Sequence, residues 1–319
     1  MTSFLNRRQV LVGAALSALS APTVLRAQDT QIIRVGALKL IHSIGPYFYE
    51  QFTPAGYKVE VYPFESPTEG KNAVVTKSVD FGMFGVAAAL LGAAAGEPIS
   101  VIAGACNKGM AIIAGKDTPI SSIKDLKGKK VAIWPGSTQE VFLLERLRME
   151  GLSIKDITPV RVSFSEMHLA LARGDIDAYS GAEPGPGVSL ATGVGKLVEY
   201  PYSTSMGGLN MVFGAHHDTP ASNPELTKIM LDIHRKAVDY ATANPKELAA
   251  MAVTRLGQKP DAIELSVPNV ELTWKFGPTQ IEQTKTYAQH MLELKQIRRL
   301  PDFDAFFQTS RIQEMESSL

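Results

Sequence analysis

Apolar and polar positions change period repeatedly along the chain. Runs at 32–37, 57–62 and 78–85 alternate or stay apolar as strands do, and helical spacing follows them at 46–52, 69–76 and 86–95. A strand at 99–104 comes next, and 111–114 is expected to pair with it. The alternation then resumes. Strands are expected at 130–133, 158–162, 178–180, 196–200 and 211–214, with helices after 137 and over 166–173 and 185–191. From 223 onward the pattern is helical, over 224–243, 245–256, 261–265, 279–294 and 303–307. Asn223-Pro224 and Asn244-Pro245 supply a capping residue followed by a proline at the first helical position.

Such alternation predicts α/β sheets with helices on their faces. The elements fall into two units, about 30–115 and about 118–205, joined by crossings expected near 116–119 and 205–209. Two crossings between similar lobes make a hinge, and the space between the lobes makes a cleft. The most telling stretch opens the second unit. Strand 130–133 stops at Trp134-Pro135-Gly136-Ser137-Thr138, and a helical pattern through Val141, Leu144 and Arg148 begins at once. A strand that ends in small polar residues at a helix N-terminus offers backbone N–H groups to a ligand.

Composition narrows the function. In 319 residues, 32 basic groups balance 32 acidic ones with no basic block, which argues against a nucleic-acid partner. Asn6-Arg7-Arg8 precedes an apolar run at 10–21 and a small residue at Ala27, the layout of a signal peptide over 1–27 with a twin-arginine or general export route. Its removal takes three arginines and no acid, leaving the mature chain mildly acidic. Cys106 is the single cysteine, so neither an intrachain disulfide nor a lipid-anchor site is expected, and no later run is long enough for a membrane span. The product is therefore expected to be soluble and periplasmic.

Several motifs together resemble ABC-importer solute-binding proteins of the nitrate/sulfonate/taurine/pyrimidine-precursor class. They are Asp125-Leu126-Lys127-Gly128-Lys129-Lys130-Val131-Ala132 with Pro135-Gly136-Ser137-Thr138, Ser78-Val79-Asp80-Phe81-Gly82, Gly96-Glu97-Pro98-Ile99, Arg173-Gly174-Asp175-Ile176-Asp177-Ala178 and Glu183-Pro184. The resemblance implies the two-lobed periplasmic-binding-protein type II fold, a Venus flytrap with two hinge crossings and a helical C-terminal region. Lobe I would combine 28–117 with 207–319, and lobe II would be 118–206. It also implies a monomer that hands a small organic solute to a membrane permease driven by an ATPase subunit, without catalysis or cofactor. An enzyme that makes the pyrimidine precursor on the same fold is the competing reading. It is disfavoured by the one cysteine and the signal peptide.

Candidate ligand contacts follow from the strand ends. His42, Ser43, Glu65, Ser66, Gly85 and Asn107 would line the first lobe's wall, and Trp134, Gly136, Ser137 and Thr138 the second's. The resemblance adds Glu183 as a cleft-wall residue, and Asn210 follows the glycine break at 207–208. Ser137 is equally a helix N-cap, Trp134 equally lobe filling, and His42 equally a structural histidine. No arginine stands at an expected strand–helix junction, which favours an organic anion, an amine-bearing sulfonate or a nitrogen heterocycle over a small inorganic anion. His216-His217-Asp218 is read as a polar turn with no metal, because consecutive residues chelate one ion poorly.

Overall fold

Parallel strands covered on both faces need near-continuous apolar runs, and β1 (Gln31–Leu38) has one. The computed structural model describes residues 30–318, so the expected signal peptide lies outside the described residues. β1 is followed by 3₁₀ turns at Ile41–Ser43 and Gly45–Phe52, then β2 (Tyr57–Phe64), α1 (Pro67–Val75), β3 (Phe81–Gly85), α2 (Val86–Ala95) and β4 (Ile99–Lys108). The second unit holds β5 (Met110–Gly115), β6 (Lys130–Ile133), α3 (Thr138–Met149), β7 (Thr158–Arg161), α4 (Met167–Arg173), β8 (Ala178–Ala182), α5 (Gly185–Ala191) and β9 (Gly195–Glu199). The chain then returns through β10 (Leu209–His216), α6 (Thr219–Ser222), α7 (Pro224–Ala243), α8 (Pro245–Leu256) and α9 (Pro260–Ser266). It ends with β11 (Val270–Leu272), α10 (Pro278–Glu293), α11 (Phe303–Phe306) and α12 (Ser310–Ser317).

Two sheets result, ordered β11-β4-β10-β3-β1-β2 and β7-β6-β8-β5-β9. Each has a parallel part (β2, β1 and β3; β7, β6 and β8) and antiparallel strands brought in by the crossings. This is the two-lobed periplasmic-binding-protein architecture.

One expectation is corrected. The strand at 111–114 does not pair with 99–104: β5 pairs with β8 and β9 in the second sheet. The first crossing is therefore at Lys108–Met110 rather than near 116–119. Lys108 and Gly109 both sit in the left-handed region, with φ of 60° and 74°, and the resulting turn carries Met110 out of the first sheet. The space released beside β4 is taken by β11, which pairs with Cys106 to Lys108.

The C-terminal helices are not confined to one lobe. α7 packs on the Gly45–Phe52 turn, where His234 accepts from the Tyr49 hydroxyl at 2.7 Å through Nδ1 and donates to Gly104 O at 2.7 Å through Nε2. α9 instead packs on α5 of the second lobe. Gly187 permits that approach, since a Cβ there would meet the Ala262 carbonyl at 2.5 Å. α10 lies against both α2 and α3, with Tyr287 edge-on to Phe142 at 5.7 Å between ring centres.

Candidate functional site

The strands of both parallel parts end towards the interlobe space, so three helix N-termini meet there. Ser66 caps α1 by accepting from Glu69 N–H at 3.3 Å, and Ser137 caps α3 by accepting from Glu140 N–H at 3.1 Å. Gly85 precedes α2 without a side-chain cap. These ends are close: a Cβ on Gly85 would lie 2.7 Å from Thr138 Oγ1 and 3.9 Å from Pro67 Cβ. Thr138 Oγ1 donates across the lobes to Asn210 O at 3.2 Å, and Tyr287 donates to Thr138 O at 3.0 Å. The N–H groups of Thr138 and Gln139 have no acceptor among the described residues. Gly136, at φ +78°, turns its N–H to Glu140 Oε2 at 2.7 Å.

The open space between the lobes is a cavity of about 220 Å³. Lys39, Leu40 and Glu65 line it from the first lobe, and Phe164, Ser165 and His168 from the loop and helix after β7. Its remaining walls come from β8 and α5, with Ala182, Pro184 and Val188, and from the end of α8, with Leu256 and Gln258. Most of this wall is apolar. Lys39 and Glu65 pair with each other at the rim, and Ser165 Oγ lies 3.2 Å from Ser163 Oγ. The side chains of His168 and Gln258 make no hydrogen bond among the described residues, and the buried Nδ1 of His168 is unpartnered. Burial lowers the His168 pKa, which favours the neutral ring. Phe164 touches Trp134 at 6.5 Å between centroids, and the Arg161 guanidinium covers the Trp134 ring at 5.0 Å.

Of the contacts expected from the strand ends, only Glu65 lines the cavity. Trp134 backs its Phe164 wall, and Ser66, Gly85, Gly136, Ser137 and Thr138 form the adjoining helix-end cluster. The others lie outside the cavity, His42 and Asn210 against the first crossing and Ser43 and Asn107 within the first lobe. His42 is buried against Gly109, where a Cβ would come 2.9 Å from its Nδ1, and burial lowers its pKa to about 3. Ser43 accepts from Leu38 N–H at 2.9 Å, and Asn107 donates to Glu271 at 3.2 Å. Asn210 donates to Lys108 O at 2.5 Å.

Glu183 joins three segments. Its N–H donates to Gly109 O at 3.0 Å and its carbonyl accepts from Ile41 N–H at 3.2 Å. Its carboxylate accepts from Gly187 N–H at 3.0 Å and from Asn269 Nδ2 at 3.1 Å. Burial raises its pKa despite these donors. Tyr202 completes the network, with its hydroxyl 2.7 Å from Asn269 Oδ1 and 2.8 Å from Met110 O while accepting from Met110 N–H at 2.9 Å. Asn269 and Tyr202 are not among the expected contacts, because single polar residues carry no local signal of a distant partner. His168 has a weak one: in α4 it sits beside the buried row Met167, Ala170 and Leu171. Arg161 has none, standing inside an expected strand rather than at its end.

The turn read as metal-free brings ligand atoms of His216, His217 and Asp218 within 4.8 Å of one another. Asp218 N–H donates to His216 Nδ1 at 3.2 Å, and the carboxylate meets His217 at 2.8 Å within the turn and Lys77 at 3.5 Å outside it. Cys106 is fully buried, and burial raises its thiol pKa.

Comparison with known proteins agrees with the architecture. A family model described as NMT1/THI5 like matches residues 49–248. A putative aliphatic sulfonates-binding protein of Escherichia coli (strain K12) is 27% identical over 181 residues, covering 56% of this chain and 55% of that one. The chain thus spans about half the length of the curated relatives it matches. The alkanesulfonate-binding protein SsuA from Xanthomonas axonopodis pv. citri, solved bound to MOPS, superimposes with a TM-score of 0.76 at 20% identity, covering 86% of this chain and 97% of that one. The desulfurization enzyme DSZB shares the fold at a TM-score of 0.67 and 14% identity, covering 90% and 99%.

Proposed function

The chain belongs to the NMT1/THI5-like family, and on that premise we propose that it is a solute-binding protein that closes its lobes on a small organic anion. The observation that carries this reading is the cavity of about 220 Å³ between the lobes, mostly apolar, with the Lys39–Glu65 pair, Ser165, His168 and Gln258 as its polar groups. At about 30 Å³ of liquid per water, such a space suits a ligand of roughly seven non-hydrogen atoms. The apolar wall of Leu40, Phe164, Val188 and Leu256 would hold an organic body. Lys39 is neutralised by Glu65, so negative charge would be favoured beside the cavity by Arg161, over the Trp134 ring that backs Phe164, and by the positive end of α3. A sulfonate suits this arrangement, because its three oxygens can each accept from backbone N–H groups, and the relatives named above support that class.

The bound solute would pass from the periplasm to a permease and its ATPase subunit. Among the described residues, no helix is long and apolar enough to cross a membrane. The competing enzyme reading needs a nucleophile beside a base in the cavity. Cys106, the single cysteine, is buried in the core rather than placed on these walls.

A thermal-shift screen of alkanesulfonates, taurine, nitrate, aromatic acids and pyrimidines tests the reading. Binding to the folded state alone raises Tm by mass action. Organic sulfonates are expected to raise it most; stabilisation by pyrimidines alone would overturn the sulfonate assignment.

A further inference from the structure

The cavity's polar groups are not equally available. Lys39 and Glu65 satisfy each other, and Ser165 has Ser163. That leaves His168 and Gln258, and of these only His168 has a polar atom buried without a partner. A ligand group that bonds this nitrogen gains over one that leaves it unanswered.

We propose that His168 is a specificity-determining residue of the cleft, which selects organic anions that carry a second, uncharged hydrogen-bonding group on their apolar body. This rests on the capture of an organic anion proposed above and adds to it the chemical class of the body. Three features favour an uncharged second group. The ring shares its wall with Phe164 and Val188, and its lowered pKa favours the neutral form. A neutral imidazole can donate from one nitrogen and accept at the other, which fits a hydroxyl, ether or amide. Gln258, just beyond α8, lines the same cavity and has the same two-way capacity. A plain alkyl chain would leave both unanswered, and sites built to bond a ligand's polar group reject analogues that lack it.

The test uses two probe pairs, ethanesulfonate with 2-hydroxyethanesulfonate and butanesulfonate with 4-hydroxybutanesulfonate, titrated calorimetrically into the wild-type protein, His168→Phe and His168→Gln. The wild type is expected to favour the hydroxylated member of at least one pair by about tenfold. His168→Phe should lose that preference while still binding the plain sulfonates, and His168→Gln should keep part of it. A partial rescue of the ratio is not expected from a residue that only fills space. Equal wild-type affinities within both pairs, or a preference that survives in His168→Phe, would overturn the assignment and leave sulfonate capture standing. Absence of binding to all four probes would overturn both.

Discussion

The hydroxyl of Thr138, the first residue of α3 in the second lobe, donates to the backbone carbonyl of Asn210 in the first at 3.2 Å. Beside this bond, Gly85 approaches so closely that a Cβ would stand 2.7 Å from the same hydroxyl. Sequence pattern marks both residues as strand-end ligand contacts. In the folded chain they stand against each other, and their contact joins the two lobes.

Gly85→Ala follows directly. Its φ of −62° suits alanine, so the first lobe should keep its stability within about 0.5 kcal/mol. The new methyl would stand 2.7 Å from Thr138 Oγ1, so its cost falls on the contact between the lobes. Ligand affinity should fall about tenfold, or ~1.4 kcal/mol, with little change in Tm of the unliganded protein. Calorimetry and thermal melting measure the two quantities separately.

Ser137→Ala should act differently from Thr138→Val. Loss of the Ser137 cap exposes Glu140 N–H and should cost about 1 kcal/mol of stability, read as a lower urea midpoint. Thr138→Val keeps the shape and removes the bond to Asn210 O, so its main effect should be faster ligand release, seen by stopped-flow.

At the hinge, Asn269→Ala should be more damaging than its one-residue size suggests. It removes a donor from the buried Glu183 carboxylate and a partner from Tyr202. A loss of about 1–3 kcal/mol is expected by denaturant unfolding. The double variant with Glu183→Gln should lose less than the sum of the two singles, because both act on one network.

Acid should destabilise the fold through two buried histidines. Desolvation lowers His42 to about 3 and His234 to about 4, from an ordinary 6.5. The unfolded chain takes up these protons below about 6.5, whereas the native state takes them up only near 3 to 4. Their contribution is therefore complete above about 6.5 and is lost as pH falls towards the folded values. Each should remove about 1.4 kcal/mol per pH unit well inside that window. His42→Asn should make the pH dependence shallower by about one histidine's share, which melting curves at about pH 7.5, 6 and 5 would show.

The alternation of strands and helices was legible because each element is amphipathic or apolar over its own length, as in 86–95 and 224–243. The start of α3 was legible too, since Pro-Gly-Ser-Thr is a local stop and cap. The place of the first crossing was not. Lys108-Gly109 reads as a turn in any context, and whether the next strand folds back or leaves the sheet is decided by β8, β9 and β11 far along the chain. The cavity was only partly legible for the same reason: Leu256 and Gln258 reach it from the last residue of α8 and the segment after it, where the sequence pattern places no candidate contact.

The most direct test is a calorimetric titration of alkanesulfonates into the wild-type protein and into Val188→Phe, whose half-buried position lines the cavity. One saturable site in the wild type, lost in a folded Val188→Phe protein, is the expected result. No saturable heat with any organic anion, or unchanged binding when the cavity is filled, would contradict capture between the lobes.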